Sequence, residues 1–104
     1  MSVYRARDRV ENEEWVAAID DAAERLELGS EAKSRAVDLF LSTVPEERRS
    51  KRAAVAASLY AGALIAGDRR SQSAVADAVG VARLTVQQRW KELLREAGLE
   101  PPTW

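Results

Sequence analysis

The 104-residue sequence lacks cysteine and histidine altogether, and it has only three prolines and five glycines. Without those two residue types there are no disulfides, no thiolate or imidazole metal ligands, no cysteine or histidine nucleophile and no neutral-pH proton shuttle. Adjacent acids such as Glu13 and Glu14 point in different directions on a helix, so no catalytic carboxylate pair is predicted. We therefore expect a protein that is not an enzyme and that uses no metal and no cofactor.

Long apolar runs are also missing, because no stretch reaches the eighteen or so residues that a membrane span requires. The N-terminal arginines have no apolar stretch behind them, which is unlike a secretion signal. These absences predict a soluble, cytoplasmic protein that does not contact membranes. The length leaves room for one domain.

The net charge of −1 hides an uneven distribution of charge along the chain. The segment from Arg48 to Arg95 holds ten basic and three acidic residues, a net charge of +7, so the remainder carries −8. A concentrated basic half is expected where one face of a protein meets phosphate. Chance clustering of solvated side chains is the alternative, and charge alone does not decide between the two.

Nineteen alanines and few β-branched residues favour helix almost everywhere, so we predict an all-α fold of five helices. The first is expected over residues 11–28, with Gly29 as its terminator and Ser30 as the N-cap of the next. The second is expected over residues 31–44, until Pro45 forces the chain out of the helix. Both carry an apolar stripe at helical spacing. The stripes comprise Trp15, Ile19, Ala22, Ala23 and Leu26, then Ala36, Val37, Phe40 and Val44.

The segment over residues 53–66 is apolar all round, with twelve apolar residues among its fourteen. A helix without a polar stripe must be surrounded by others, so we predict that it forms the centre of a small bundle. It is too short to cross a bilayer, and it lacks the charged face of a membrane-surface helix.

The last two helices read as a helix-turn-helix. Ser71 is the predicted N-cap of a short helix through residue 79, Gly80 supplies a left-handed turn, and a final helix spans residues 82–97. At about 100° per residue the final helix separates into two faces. The core face comprises Val86, Trp90, Leu93, Leu94 and Ala97; the outward face comprises Leu84, Gln88, Lys91 and Arg95, flanked by Thr85 and Gln87.

The outward face suits the major groove of DNA. Glutamine amides can pair with adenine, lysine and arginine with phosphate or guanine, and an exposed leucine with the thymine methyl group. Basic residues near the turn can hold phosphates. A helical hairpin that serves only for packing is the alternative. The predicted DNA-binding residues are Arg69, Arg70, Ser71, Gln72, Arg83, Leu84, Thr85, Gln87, Gln88, Lys91 and Arg95.

Three motifs within residues 19–99 give the chain its resemblance to a known family. They are ELGSEAKSRAVDLF, RRSKRAAVAASLYAGALIAGDRRSQ and VGVARLTVQQRWKEL, the last being the most specific because Arg89 precedes an aromatic residue. About eighty residues thus resemble one cyclin-like repeat, the C-terminal one, of the archaeal transcription factor B family, the counterpart of eukaryotic factor IIB. The resemblance implies a five-helix cyclin fold and an archaeal origin.

The resemblance also implies binding to promoter DNA beside the TATA box, with the TATA-binding protein as a partner. By position, Leu84 and Gln87 correspond to a hydrophobic residue and an arginine that read bases in the family. Because glutamine replaces that arginine, a preference for guanine is in doubt and adenine becomes an alternative. The family's zinc ribbon and first repeat are missing from the sequence, so we expect a domain that is not a complete initiation factor.

The expected organisation is a flexible tail at residues 1–10, a cyclin-like domain at 11–99 with its helix-turn-helix at about 71–97, and a C-terminal tail at 100–104. Trp15 and Trp90 are expected to anchor the core, whereas Trp104 is expected to dock or, less favoured, to bind a partner. A homodimer is a further possibility, because self-association would supply the second repeat that this chain lacks. The competing hypothesis is a cyclin-fold adaptor, with a protein-binding groove along the apolar central helix and no DNA recognition.

Overall fold

The computed structural model describes residues 12–102, and within that range all regular structure is helical. The predictions for the tail at residues 1–10 and for Trp104 lie outside it. The helices are α1 (Glu13–Arg25), α2 (Ser30–Ser42), α3 (Arg48–Ile65), α4 (Gln72–Val79) and α5 (Arg83–Glu96). Within this described range the predicted all-α fold of five helices is confirmed.

Helix α3 lies at the centre of the bundle and contacts each of the other four helices. Its ten residues from Ala54 to Ala63 are all buried, as the apolar segment predicts. The core stripes of α1 and α2 face it, with Ile19 and Phe40 fully buried. Trp15 and Trp90 are buried too, which confirms them as core residues.

Small residues let α2 and α3 approach each other closely. A Cβ atom built on Gly62 of α3 would lie 2.7 Å from the backbone nitrogen of Ala36 and 3.1 Å from the carbonyl oxygen of Ala32. Only hydrogen fits at that position. Gly62 therefore sets the separation of the two helices.

The end of α1 differs from the prediction. The left-handed residue is Glu27 (φ 55°), not Gly29, whose backbone is extended. The Leu28 N–H donates to the Ala23 carbonyl oxygen at 2.9 Å, which closes a Schellman motif around Glu27. Gly29 instead precedes α2, and the Ser30 side chain makes no capping hydrogen bond, so both predictions at this junction are wrong.

An interaction across the chain explains that difference. Arg70 donates through Nε to the Leu26 carbonyl oxygen at 2.9 Å and through Nη2 to that of Glu27 at 3.1 Å. These charge-assisted hydrogen bonds hold the strained turn, which costs about 1–2 kcal/mol for a residue with a Cβ atom.

The end of α2 also differs from the prediction. Pro45 was expected to end this helix after Val44, but the helix already ends at Ser42, three residues before the proline.

Candidate nucleic-acid interface

Helices α4 and α5 form the predicted helix-turn-helix. The Ser71 hydroxyl accepts a hydrogen bond from the Ala74 N–H at 3.0 Å, which confirms Ser71 as the N-cap of α4. Gly80 ends that helix with φ 88° and ψ 38°, which confirms it as the left-handed turn residue. Three residues after Gly80, α5 begins at Arg83, with Ala82 as its N-cap.

The rotation of α5 about its axis is set by its core face. Val86, Trp90, Leu93 and Leu94 are all buried. The Trp90 ring meets that of Tyr60 on α3 edge to face, with the ring centroids 5.1 Å apart. Because large side chains on both helices interlock there, the opposite face of α5 is held towards solvent.

That opposite face, which we call the outer face, consists of Leu84, Gln88, Lys91 and Arg95. Three of them are exposed, and Leu84 is 52% exposed, an unusual fraction for a large apolar side chain. Lys91 is half-buried, because its Nζ lies over the Trp90 ring at 5.5 Å from the centroid. The structure thus brings the four predicted residues together.

The flanks of the outer face hold the predicted Thr85, which is half-buried, and Gln87, which is exposed. Arg83 donates through Nη1 to the Gln87 Oε1 at 2.9 Å and, more weakly, to the Gln72 Oε1 at 3.4 Å. One arginine therefore connects the two helices of the motif through neutral amide groups.

The approach to α4 is built differently from the outer face. Arg69 is exposed, whereas Arg70 is half-buried and directs its donors at protein oxygens, including the Asp68 Oδ1 at 2.8 Å. Asp68 in turn accepts from the Gly29 N–H at 2.9 Å. This N–H, and after it the Arg70 guanidinium, hold the pKa of Asp68 below its ordinary range. Arg70 thus braces the junction, and its contact with DNA stays a prediction.

Other arginines of the basic segment are matched by carboxylates. Arg48 makes a bidentate ion pair with Glu14 at 2.9 and 3.0 Å, and this hydrogen bonding lowers the pKa of Glu14. Arg89 approaches Glu92 at 3.2 Å and Glu96 at 2.6 Å, and its side chain is only 19% exposed. The motif arginine Arg89 therefore binds acids of its own helix.

Two arginines that the sequence analysis missed hold the end of α4. Arg25 donates through Nη1 to the Ala78 carbonyl oxygen at 2.9 Å, and Arg52 through Nη1 to that of Val79 at 3.4 Å. Cations at a helix C-terminus match the unpaired carbonyls and the helix dipole. No sequence signal could reveal these contacts, because the partners lie 53 and 27 residues apart.

A groove of about 490 Å³ lies elsewhere on the surface, where the ends of α3 and α5 meet α2. Ile65 and Leu99, which line it, are 44% and 46% exposed. The groove reaches α3 only through Leu64 and Ile65, since the middle of that helix is buried. The adaptor hypothesis therefore has a groove available, although at one end of the central helix.

Residues 12–102 contain no cluster of three or more acidic side chains placed to hold a metal ion. Across the same part of the chain, no helix has the length and apolarity that a membrane crossing demands.

Comparison with known proteins identifies the family. The transcription factor TFIIB repeat matches residues 11–96. Proteins named transcription initiation factor IIB are 35% identical in Methanosarcina mazei and 33% in Archaeoglobus fulgidus, each over 72% of this chain and 23% and 24% of theirs. The Pyrococcus abyssi protein of the same name is 30% identical over 81% of this chain and 29% of its own.

The chain thus spans about a quarter of the length of these relatives. The predicted cyclin-like fold and the predicted resemblance to archaeal factors are confirmed by the match and by the five helices. This chain belongs to the transcription factor TFIIB repeat family.

Proposed function

We propose that this chain is a DNA-binding transcription factor or regulator, that the outer face of α5 reads double-stranded promoter DNA, and that the TATA-binding protein is a partner. One observation carries the proposal: Leu84, Gln88 and Arg95 are exposed side by side on a helix whose opposite face is locked into the core. An apolar, an amide and a cationic side chain on one surface match the methyl groups, base edges and phosphates of a major groove. Family membership supports a role in transcription initiation.

Electrostatics favour the same surface. From Ala78 to Lys91 the chain carries no acidic residue, so no carboxylate of that stretch opposes an approaching phosphate. Lys91 and Arg95 lie one turn apart and are suited to phosphate contacts, while Gln87, Gln88 and Leu84 are suited to base edges. Ser71 and Gln72 at the start of α4, together with Arg69, are suited to the flanking phosphate, because the N-terminus of a helix attracts anions.

The salt dependence of DNA binding tests this assignment. The full chain would be titrated by fluorescence anisotropy into a TATA-containing promoter duplex, with and without the TATA-binding protein, at several salt concentrations. Each lost phosphate contact lowers the slope of log K against log salt by about 0.9, so the Lys91→Ala/Arg95→Ala variant is expected to lower it by about 2. The matched control is Lys33→Ala/Arg35→Ala, which removes two exposed charges from α2.

The control variant is expected to keep the wild-type slope. Equal slopes for both double variants would place the DNA elsewhere on the domain. If the chain fails to bind the duplex both alone and together with the TATA-binding protein, the proposal is refuted.

The groove near Ile65 and Leu99 favours a second candidate function, a cyclin-fold adaptor that binds protein. Its test is Ile65→Glu, which places a charge in an apolar wall. The adaptor function requires that this variant lose a protein partner, whereas the proposed DNA-binding function predicts unchanged DNA affinity.

The predicted homodimer has a separate test. Self-association of the chain would appear as a concentration-dependent mass in sedimentation equilibrium.

A further inference from the structure

Arg83 makes its hydrogen bonds to neutral side-chain amides rather than to a carboxylate. Its hydrogen bonds within residues 12–102 both leave from Nη1 and both end on glutamine amide oxygens, at 2.9 Å on Gln87 and 3.4 Å on Gln72. Arg48, by contrast, is paired with the carboxylate of Glu14. Neutral acceptors hold a guanidinium without neutralising it, so the charge of Arg83 stays available to a ligand.

The edge of the Arg83 guanidinium formed by Nε and Nη2 makes no hydrogen bond within residues 12–102, and it is this edge that can bind a ligand. With Nη1 turned towards the two glutamines, Nε and Nη2 form a parallel pair of donors on the other side. Arg70 shows what that edge can do, since its own Nε and Nη2 bind two carbonyl oxygens at 2.9 and 3.1 Å. Arg83 is exposed at the first residue of α5, the end of a recognition helix that contacts base edges.

We propose that Arg83 reads a guanine in the major groove, and that Gln72 and Gln87 are positioning residues that hold its guanidinium for this task. The inference rests on the proposed function, because it requires DNA on the outer face of α5. Guanine presents two acceptors, N7 and O6, that match the free donor pair, whereas adenine replaces O6 with a donor amino group. Arginine bidentate to guanine discriminates against the wrong base by about tenfold or more.

The inference changes the roles predicted from sequence. Arg83 was expected to hold a phosphate and Gln87 to read adenine. Reading adenine requires the amide to accept from the base through Oε1, and one of the two lone pairs of that oxygen is already taken by the hydrogen bond from Arg83. The sequence put a preference for guanine in doubt because Gln87 stands where the family has an arginine. In this proposal Arg83, one helical turn earlier, supplies that preference instead.

Selection of duplexes from a randomised library by the full chain, followed by affinity measurement on the selected site and its single-base variants, tests the proposal. Arg83→Lys keeps the charge and loses the donor fork, so we expect its guanine preference at one step to fall about tenfold, with an unchanged salt slope. Arg35→Lys on α2 is the matched control and is expected to select the wild-type sequence.

The positioning role has its own readout. Gln87→Ala is expected to weaken the guanine preference at the same step, and Gln87→Glu, which keeps an acceptor for Nη1, is expected to restore the ratio of guanine to adenine binding while lowering total affinity. All four substitutions lie at exposed positions, and circular dichroism checks that each variant folds.

The outcomes separate the two ideas. An Arg83→Lys variant that selects the wild-type sequence would overturn the role of Arg83 while leaving DNA binding in place. Guanine preference that Gln87→Ala leaves intact would overturn the positioning role. A wild-type chain that shows no sequence-dependent DNA binding, either alone or with the TATA-binding protein, would refute the proposed function itself.

Discussion

Replacing Gly62 by alanine is expected to destabilise the domain, although alanine is the better helix former. On an unconstrained helix the substitution would stabilise by about 1 kcal/mol. Here the new Cβ atom would lie 2.7 Å from the Ala36 backbone nitrogen and 3.0 Å from its Cα. Both atoms belong to the backbone of α2, so no side-chain rotation relieves the overlap and the helices must separate.

The size of the effect follows from these opposing contributions. Overpacking a tight core costs about 1–3 kcal/mol, and contact with rigid backbone belongs at the upper end. Subtracting the helix preference leaves a net loss of about 2 kcal/mol. For a domain of this length that lowers Tm by roughly 10 °C.

Urea unfolding followed by the fluorescence of the buried Trp15 and Trp90 measures this loss as a lower midpoint at an unchanged m value. The matched control is Ala53→Gly on the same helix, where the side chain is only half-buried and alanine should be the more stable residue by about 1 kcal/mol. The preference for alanine is therefore expected to reverse between the two positions. A Gly62→Ala variant as stable as the wild type would refute the reasoning.

Three further changes test other parts of the fold. Ser58 is fully buried and its hydroxyl has no hydrogen-bond partner, so Ser58→Ala should raise the free energy of unfolding by about 1 kcal/mol; a loss in urea titration would contradict this. Ser71→Ala removes the cap of α4 and should cost about 1 kcal/mol, with Ser73→Ala, exposed on the same helix, as the control. Because its pKa is lowered, Asp68 contributes stability that is complete above its ordinary pKa and is lost as the pH falls through the lower folded value. Asp68→Asn should therefore flatten the decline in stability below about pH 4, and an unchanged pH profile would exclude that contribution.

Features that depend on a few neighbouring residues could be predicted from the sequence. Helical periodicity placed Trp90 and Leu93 in the core and Leu84 on the surface, because rotation about a helix is set by spacing alone. The cap at Ser71 and the turn at Gly80 likewise depend on the chemistry of one residue and its immediate neighbours.

Features that depend on long-range side-chain contacts could not be predicted. Local rules favour glycine at the left-handed end of α1, yet Glu27 takes that place because Arg70, 43 residues later, binds its carbonyl oxygen. The link between Arg83 and Gln87 lies within one helix and was accessible as an (i, i+4) pair. The sequence could not show that Arg83 forms no ion pair within residues 12–102, because that depends on how the folded surface places the acidic side chains.

The central claim is that DNA lies on the outer face of α5, and mapping amide chemical shifts during titration with a promoter duplex tests it most directly. The account predicts the largest shifts at Arg83, Leu84, Gln88 and Arg95, with residues around Ile65 unaffected. Shifts concentrated at Ile65 and its groove, or no shifts at all, would contradict it.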